Sequence, residues 1–314
     1  MGNTKKRIFA VGSLGPVLAL IVLIVVVTAL NPSFMTTDNL LNLLRQVSIN
    51  ALIAFGMSFV ILTGGIDLSV GSTLALSGAL TAGIIASGIS PLIAMCLGML
   101  LGAFLGMING ILVAKGNLAP FIATLATMTI YRGATLVFTD GNPITGIGDS
   151  FIFQFVGKGY LFGVPVPIII MVICFLLLYI LLHKTAFGKK TYAVGGNIHA
   201  AKIAGVKTNK VQIIIYTISG FMASIAGIIL TSRLNSAQPT AGVSYEMDAI
   251  AAVVLGGTSL SGGKGRLFGT LIGALIIGTI NNGLNLLGVS SFYQQIVKGL
   301  VIIIAVLLDR RQNK

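Results

Sequence analysis

KTAFGKKTYAVGGNIHAAKIAGVKTNK, residues 184–210, divides two blocks of almost unbroken hydrophobic sequence. It holds six lysines and no acid. Cationic breaks between apolar runs mark loops that stay on the cytoplasmic side of a membrane. Inside the break, Asn197 stands as an N-cap, 198–204 read as a short helix, and Gly205 suits the left-handed residue after the last turn. Seven residues cannot cross a bilayer, and Ala200, Ala201 and Ala204 give the helix a small-sided face. A basic loop that presents such a helix can dock a soluble partner. A solvated loop whose charges only set topology would carry the same residues.

Composition agrees with a membrane setting. The 314 residues are 55% hydrophobic and 9% charged, with a mean hydropathy of +1.01. A soluble chain of this size needs far more charge on its surface. A spanning helix takes about 20 apolar residues, which leaves room for about ten. The net charge of +13 would point to nucleic acid in a soluble protein. Here the basic residues lie between apolar runs, so no nucleic-acid partner is expected. Cys96 and Cys174 fall within apolar runs and read as small buried hydrophobes, without a disulfide or metal signal. The basic start followed by the apolar run 8–30 resembles a signal peptide, but the run is too long for a signal core and reads as an uncleaved first span.

The expected fold is an all-α integral membrane protein in one polytopic domain, 1–314. The apolar runs place spans at 8–30, 46–63, 69–87, 91–114, 118–138, 164–183, 211–232, 247–260, 267–286 and 292–308. Eight spans with two re-entrant segments fit nearly as well. With the N-terminus inside, the tails 1–7 and 309–314, the loop 184–210 and three short turns hold 15 of the 20 Lys and Arg residues. Five of seven acids (Asp38, Asp140, Asp149, Glu246 and Asp248) fall outside. Gly98, Gly102, Gly106 and Gly110 recur every four residues, as do Gly265, Gly269 and Gly273. Such ridges let helices approach closely in lipid, so a tightly packed bundle is expected. A faint internal echo links the GGxxLSxG at 64–71 to the one at 256–263. It is either a transporter repeat or a chance product of forty glycines.

Few residues offer chemistry. Asp67, with Ser69 nearby, reads as a helix cap or as a gate in the path. Arg132 and Lys298, within spans, can snorkel outward or pair with an outer acid. His183 and His199 have no acid or nucleophile within reach by sequence. The chain lacks H-E-x-x-H, G-x-S-x-G and G-x-x-x-x-G-K-[ST], so neither catalysis nor ATP hydrolysis is expected of it. Asn281, Asn282 and Asn285, followed by Tyr293 and Gln294, bring amides into the last two spans. They read either as interhelical glue or as the lining of a path for a neutral, hydroxyl-rich solute.

LTGGIDLSVGS (62–72), AVGGNIHAAKIAGV (193–206), SAQPTAGVSYEMDAIAAVVLGGTSLSGGKG (236–265) and NNGLNLLGVSSFYQQIVKGLVIIIAVLLD (281–309) together resemble the membrane permease of bacterial ABC-type sugar importers, most of all the ribose permease branch. The resemblance runs from about Asn31 to Asp309; residues 1–30 and 140–163 match least. It implies a homodimeric pore in the bacterial cytoplasmic membrane, with both termini cytoplasmic. It also implies cytoplasmic ATP-binding subunits that use ATP-Mg, an external sugar-binding protein, and no cofactor in this chain. Gly195, Gly196, Asn197, Ala200, Ala201, Ala204 and Gly205 would then form the coupling helix, and Glu246 and Asp248 would lie near the binding protein. An ion-coupled secondary transporter would need mid-membrane acids that the spans do not show. A branched-chain amino-acid permease of the same broader superfamily is the nearest rival in substrate.

Overall fold

The computed structural model describes residues 2–147 and 150–312, with side chains described for 15–147, 150–304, 306 and 307. Met1, the outer acid Asp149 and the last two residues of the tail 309–314 lie outside the described residues. Thirteen α-helices form there: α1 Gly2–Leu30, α2 Thr37–Leu62, α3 Val70–Ala86, α4 Pro91–Ala114, α5 Pro120–Thr139, α6 Phe151–Lys158, α7 Val166–Lys184, α8 Ala186–Gly196, α9 Ile198–Ile203, α10 Thr208–Leu234, α11 Tyr245–Leu255, α12 Leu267–Leu286 and α13 Ser291–Gln312. Six of them (α2, α4, α5, α7, α10 and α12) are long and apolar enough to cross a membrane. The only strands among the described residues, β1 Tyr160–Leu161 and β2 Val164–Pro165, make a small antiparallel hairpin.

Each expected span falls on a helix, and two are shorter than a crossing requires. The eighth, expected at 247–260, is corrected to α11, whose 11 residues rise about 16 Å, roughly half the hydrocarbon thickness. The stretch 235–244 before it is irregular and descends until Gly242 meets Gly71, the second residue of α3. Helix α3 has 17 residues, about 25 Å. Irregular backbone at membrane depth survives only when it is buried in protein, and both breaks lie against other helices. α6 and α8 were not expected: α6 is too short for a periodic signal, and the lysines of α8 read as loop.

The bundle is built around α10, which packs against α4, α2 and α3. The glycine ridge of α4 lies along this contact. A Cβ on Gly106 would collide with the Tyr216 carbonyl, one on Gly102 would lie 2.6 Å from the Gly220 carbonyl, and one on Gly110 would lie 2.6 Å from the Ile213 Cα. α10 answers with Gly220 against α4 and Gly227 against the Leu74 carbonyl of α3. The second ridge works the same way: Gly269 and Gly273 of α12 abut the carbonyls of Gly256 and Ala252.

Three turns meet at the end of the bundle that carries the basic break. The Gly263 N–H donates to the Leu62 carbonyl at 2.9 Å, and a Cβ on Gly195 would collide with the same carbonyl. Both copies of the internal echo therefore sit in helix–turn–helix corners that touch. At the opposite end, Ile144 and Ala237 bridge their backbones, and the Arg132 guanidinium donates to the carbonyls of Pro239 and Ala241 (2.9 Å to the latter).

Because Gly106 touches backbone that cannot rotate away, Gly106→Leu should cost about 3 kcal/mol or more. Thermal melting in detergent should show a lowered midpoint and a reduced monodisperse yield. Gly133→Ala, where a Cβ meets nothing within 4 Å, should melt like the wild type. Equal midpoints for both variants would remove the ridge from the packing.

Candidate functional site

The basic break folds into two short helices, α8 and α9, joined at Asn197. Thr185 caps α8, its hydroxyl accepting from the N–H groups of Phe187 and Gly188. Asn197 caps α9, its Oδ1 accepting from Ala200 N–H at 2.9 Å. Gly205 closes α9 at φ +81°, where a side chain would be strained. Tyr192 of α8 donates its hydroxyl to the Gly265 carbonyl at 2.8 Å. Burial pushes that phenol above its usual pKa. Gly195 is wedged against Leu62 and Gly263, so α8 is tied to the turns of the bundle while α9 projects from it.

The small-sided face expected of α9 is split by this arrangement. Ala200 and Ala204 are exposed, whereas Ala201 is turned inward and only 4% exposed. Ala201 therefore packs against its own chain and is not part of an accessible docking face. The outward tip belongs instead to Ile203, 89% exposed, with Ile198 beside it. An isoleucine at the end of a basic, solvated loop has no partner within the fold.

Asp67 is buried in the 63–69 turn. Its Oδ1 accepts from the N–H and hydroxyl of Ser69, at 3.1 and 2.7 Å, and its Oδ2 accepts from the Ser219 hydroxyl at 2.8 Å. Asn109 donates to Ser69 Oγ at 2.7 Å. The cap reading is corrected in detail. The N-cap of α3 is Ser69, which makes no side-chain cap bond. Asp67 instead closes an Asx-type turn ahead of α3 and clamps that turn to α4 and α10.

The acids placed beside an external protein lie deeper than the sequence implied. Asp248 is 3% exposed and ion-paired with Lys298 of α13 at 2.8 Å, so it cannot contact a protein outside the bundle. The half-buried Glu246 directs Oε2 at the start of α3, 2.8 Å from where a Cβ of Gly71 would stand. One carboxylate thus faces the positive ends of α3 and α11 together.

The amide cluster is also divided. Asn282 exchanges both amide hydrogen bonds with Asn39, at 2.9 and 3.0 Å. Asn285 is exposed and accepts from Gln294 across the turn between α12 and α13. Tyr293 is 66% exposed. Asn281 alone points inward, with its Oδ1 unpartnered. A single lining formed by all five residues is not what the fold presents: Asn281 is buried, Asn282 is paired with Asn39, and Asn285, where α12 ends, and Tyr293 are exposed. Among the described residues no cluster of His, Cys, Asp or Glu could hold a metal ion.

A family model described as "branched-chain amino acid transport system / permease component" matches residues 39–306. The chain belongs to this permease family. The ribose import permease protein RbsC of Bacillus subtilis (strain 168) is 65% identical over 312 residues, 98% of this chain and 97% of that protein. The ribose import permease protein RbsC of Escherichia coli (strain K12) is 54% identical over 94% of this chain and 93% of its own. The L-arabinose transport system permease protein AraH of Escherichia coli (strain K12) is 43% identical over 90% and 86%, respectively. No solved structure gives a match.

Sequence reading missed Ile203, Tyr192 and the Ser219–Asn109 clamp. The two isoleucines of the basic loop, Ile198 and Ile203, were a signal for the first. No local pattern points to the other two, since their partners are far along the chain.

Asp67→Ala would leave the buried hydroxyls of Ser69 and Ser219 without their acceptor, a loss on the order of 3 kcal/mol. The melting midpoint of the purified permease should fall clearly, and Asp67→Asn should fall less. A variant that melts like the wild type would release Asp67 from the clamp and return it to the path.

Proposed function

We propose that this chain is the membrane-spanning subunit of an ATP-driven importer of ribose. The observation that carries the reading is the identity profile: 65% and 54% to permeases named for ribose import, against 43% to one named for L-arabinose, each over most of both chains. In this reading two copies form the pore in the bacterial cytoplasmic membrane, with the basic end and both termini facing the cytoplasm. A cytoplasmic subunit hydrolyses ATP-Mg, and an extracytoplasmic binding protein delivers the sugar. α9 serves as the coupling helix, Ile203 seats in the ATP-binding subunit, and closure of that subunit drives alternation between outward- and inward-facing states.

The buried charges favour a neutral solute. Asp248 is spent on Lys298, Asp67 on hydroxyls and a backbone N–H, and Arg132 on backbone carbonyls. Each of these groups already has its hydrogen-bonding partners within the chain, which favours a neutral solute over an amino-acid zwitterion.

Proteoliposomes containing the permease, its ATP-binding subunit and its binding protein should take up radiolabelled ribose only with ATP, and a protonophore should leave uptake unchanged. Collapse with the protonophore would sink ATP coupling. Stimulated ATP hydrolysis without ribose uptake would overturn the sugar assignment alone. Ile203→Glu should weaken association with the ATP-binding subunit by about thirtyfold, the loss typical of a central contact residue, with the permease's melting unchanged. Ala201→Arg should instead lower the melting midpoint, because its site is internal. The reverse pattern would place Ala201, not Ile203, at the interface.

A further inference from the structure

A cleft of about 380 Å³ opens at the basic end, between α8, the end of α9 and the first turns of α10, lined by Phe187, Lys190, Gly205, Lys207, Lys210, Val211 and Ile214. Its two chemistries are separated. Val211 is buried and Phe187 and Ile214 are half-buried, while Lys190, Lys207 and Lys210 are exposed around them. No acid lines the cleft, and residues 184–210 contain none. The ion pair found among the described residues, Lys298–Asp248, lies elsewhere. Val211 and Ile214 stand in the opening turns of a span and α7 ends at Lys184, so the cleft lies where hydrocarbon gives way to water.

We infer that this cleft binds the headgroup and glycerol region of an anionic phospholipid, with the three lysines around the phosphate and Phe187, Val211 and Ile214 against the start of the acyl chains. Charge complementarity and the apolar floor both select this occupant. A soluble anion would use the lysines and leave the floor wet, and an acidic protein segment would not need a floor continuous with the bilayer. Basic pockets at the cytoplasmic boundary between spanning helices have this character in general, each lysine near the surface contributing about fivefold in affinity. The lipid would brace α8 against α10, on either side of the projecting α9. The inference concerns the bilayer and does not depend on which solute is carried.

The full-length chain in detergent micelles, titrated with phosphatidylglycerol or phosphatidylcholine and followed by native mass spectrometry, tests it. The wild type should hold phosphatidylglycerol on the order of a hundredfold more tightly than phosphatidylcholine. The triple variant Lys190→Gln, Lys207→Gln, Lys210→Gln should lose that preference with its melting unchanged. The triple Lys→Arg variant should keep it, as should Lys115→Gln, outside the cleft. Equal binding of the two lipids, or a preference that survives the triple Gln variant, would overturn the site. Displacement of phosphatidylglycerol by inorganic phosphate at equal concentration would make it a soluble-anion site and overturn the lipid assignment. Loss of ATP-binding-subunit association in the triple Gln variant, with lipid preference intact, would assign the lysines to that partner instead.

Discussion

The approach of α10 to α4 at backbone distance is the contact on which the rest of the bundle depends. Between helices in lipid there is no hydrophobic gain to be had, because a leucine is as well solvated by acyl chains as by another leucine. Stability must come from dispersion between closely fitted surfaces and from polar groups satisfied within the protein. Gly102 and Gly106 of α4 facing Gly220 of α10 remove the side chains that would hold the axes apart. Once α10 is seated, Gly227 receives α3 and Gly56 of α2 lies against Ser219. One helix thus aligns three others.

That geometry accounts for where the polar residues went. Ser219 lies on the buried side of α10, so it meets the carboxylate of Asp67 as the 63–69 turn folds in beneath α3. The α3 and α11 breaks are tolerated for the same reason. The start of α3 lies against the Gly242 carbonyl and the Glu246 carboxylate instead of lipid, and the stretch 235–244 is held by the Arg132 guanidinium. Charges that looked accessible in the sequence, notably Asp248 and Lys298, neutralise each other inside the bundle. The other buried polar side chains are mostly hydroxyls and amides, among them Asn281 with an unpartnered oxygen. The chemistry suits an uncharged solute.

The helices were legible in the sequence because hydropathy acts locally: a run of apolar residues must be a helix wherever it crosses. The four-residue glycine spacing exposed the ridge, and Asn197 with Gly205 marked the limits of α9. The direction in which a short helix faces was not legible, because it depends on what packs behind it. Ala200, Ala201 and Ala204 look equivalent in the sequence, yet Ala201 turns inward and forms the carbonyl contact that ends the helix with Val206. Depth was hidden likewise. The apolar character of 247–260 reads as a full span, but the glycines at 256 and 257 end α11 early. The pairing of Asn282 with Asn39 crosses 243 residues of chain, and no local pattern could supply it.

A rigid link from the projecting helix to the interior follows from the corner where three turns meet. α9 is continuous with α8 through Gly196 and Asn197, and α8 is fastened by Tyr192 to the Gly265 carbonyl and by Gly195 to the Leu62 carbonyl. Leu62 ends α2 and also accepts from Gly263, two residues ahead of the Gly265 that Tyr192 grips. A displacement of α9 therefore cannot be absorbed in a loose loop. It must move the 256–266 turn and the end of α2 together, or break the hydrogen bonds that join them. Those two segments begin and end the elements that carry Asp67, α3, α11 and α12. The glycines at this corner are thus mechanical residues: without side chains, the turns lie close enough for carbonyls and N–H groups to carry the load directly.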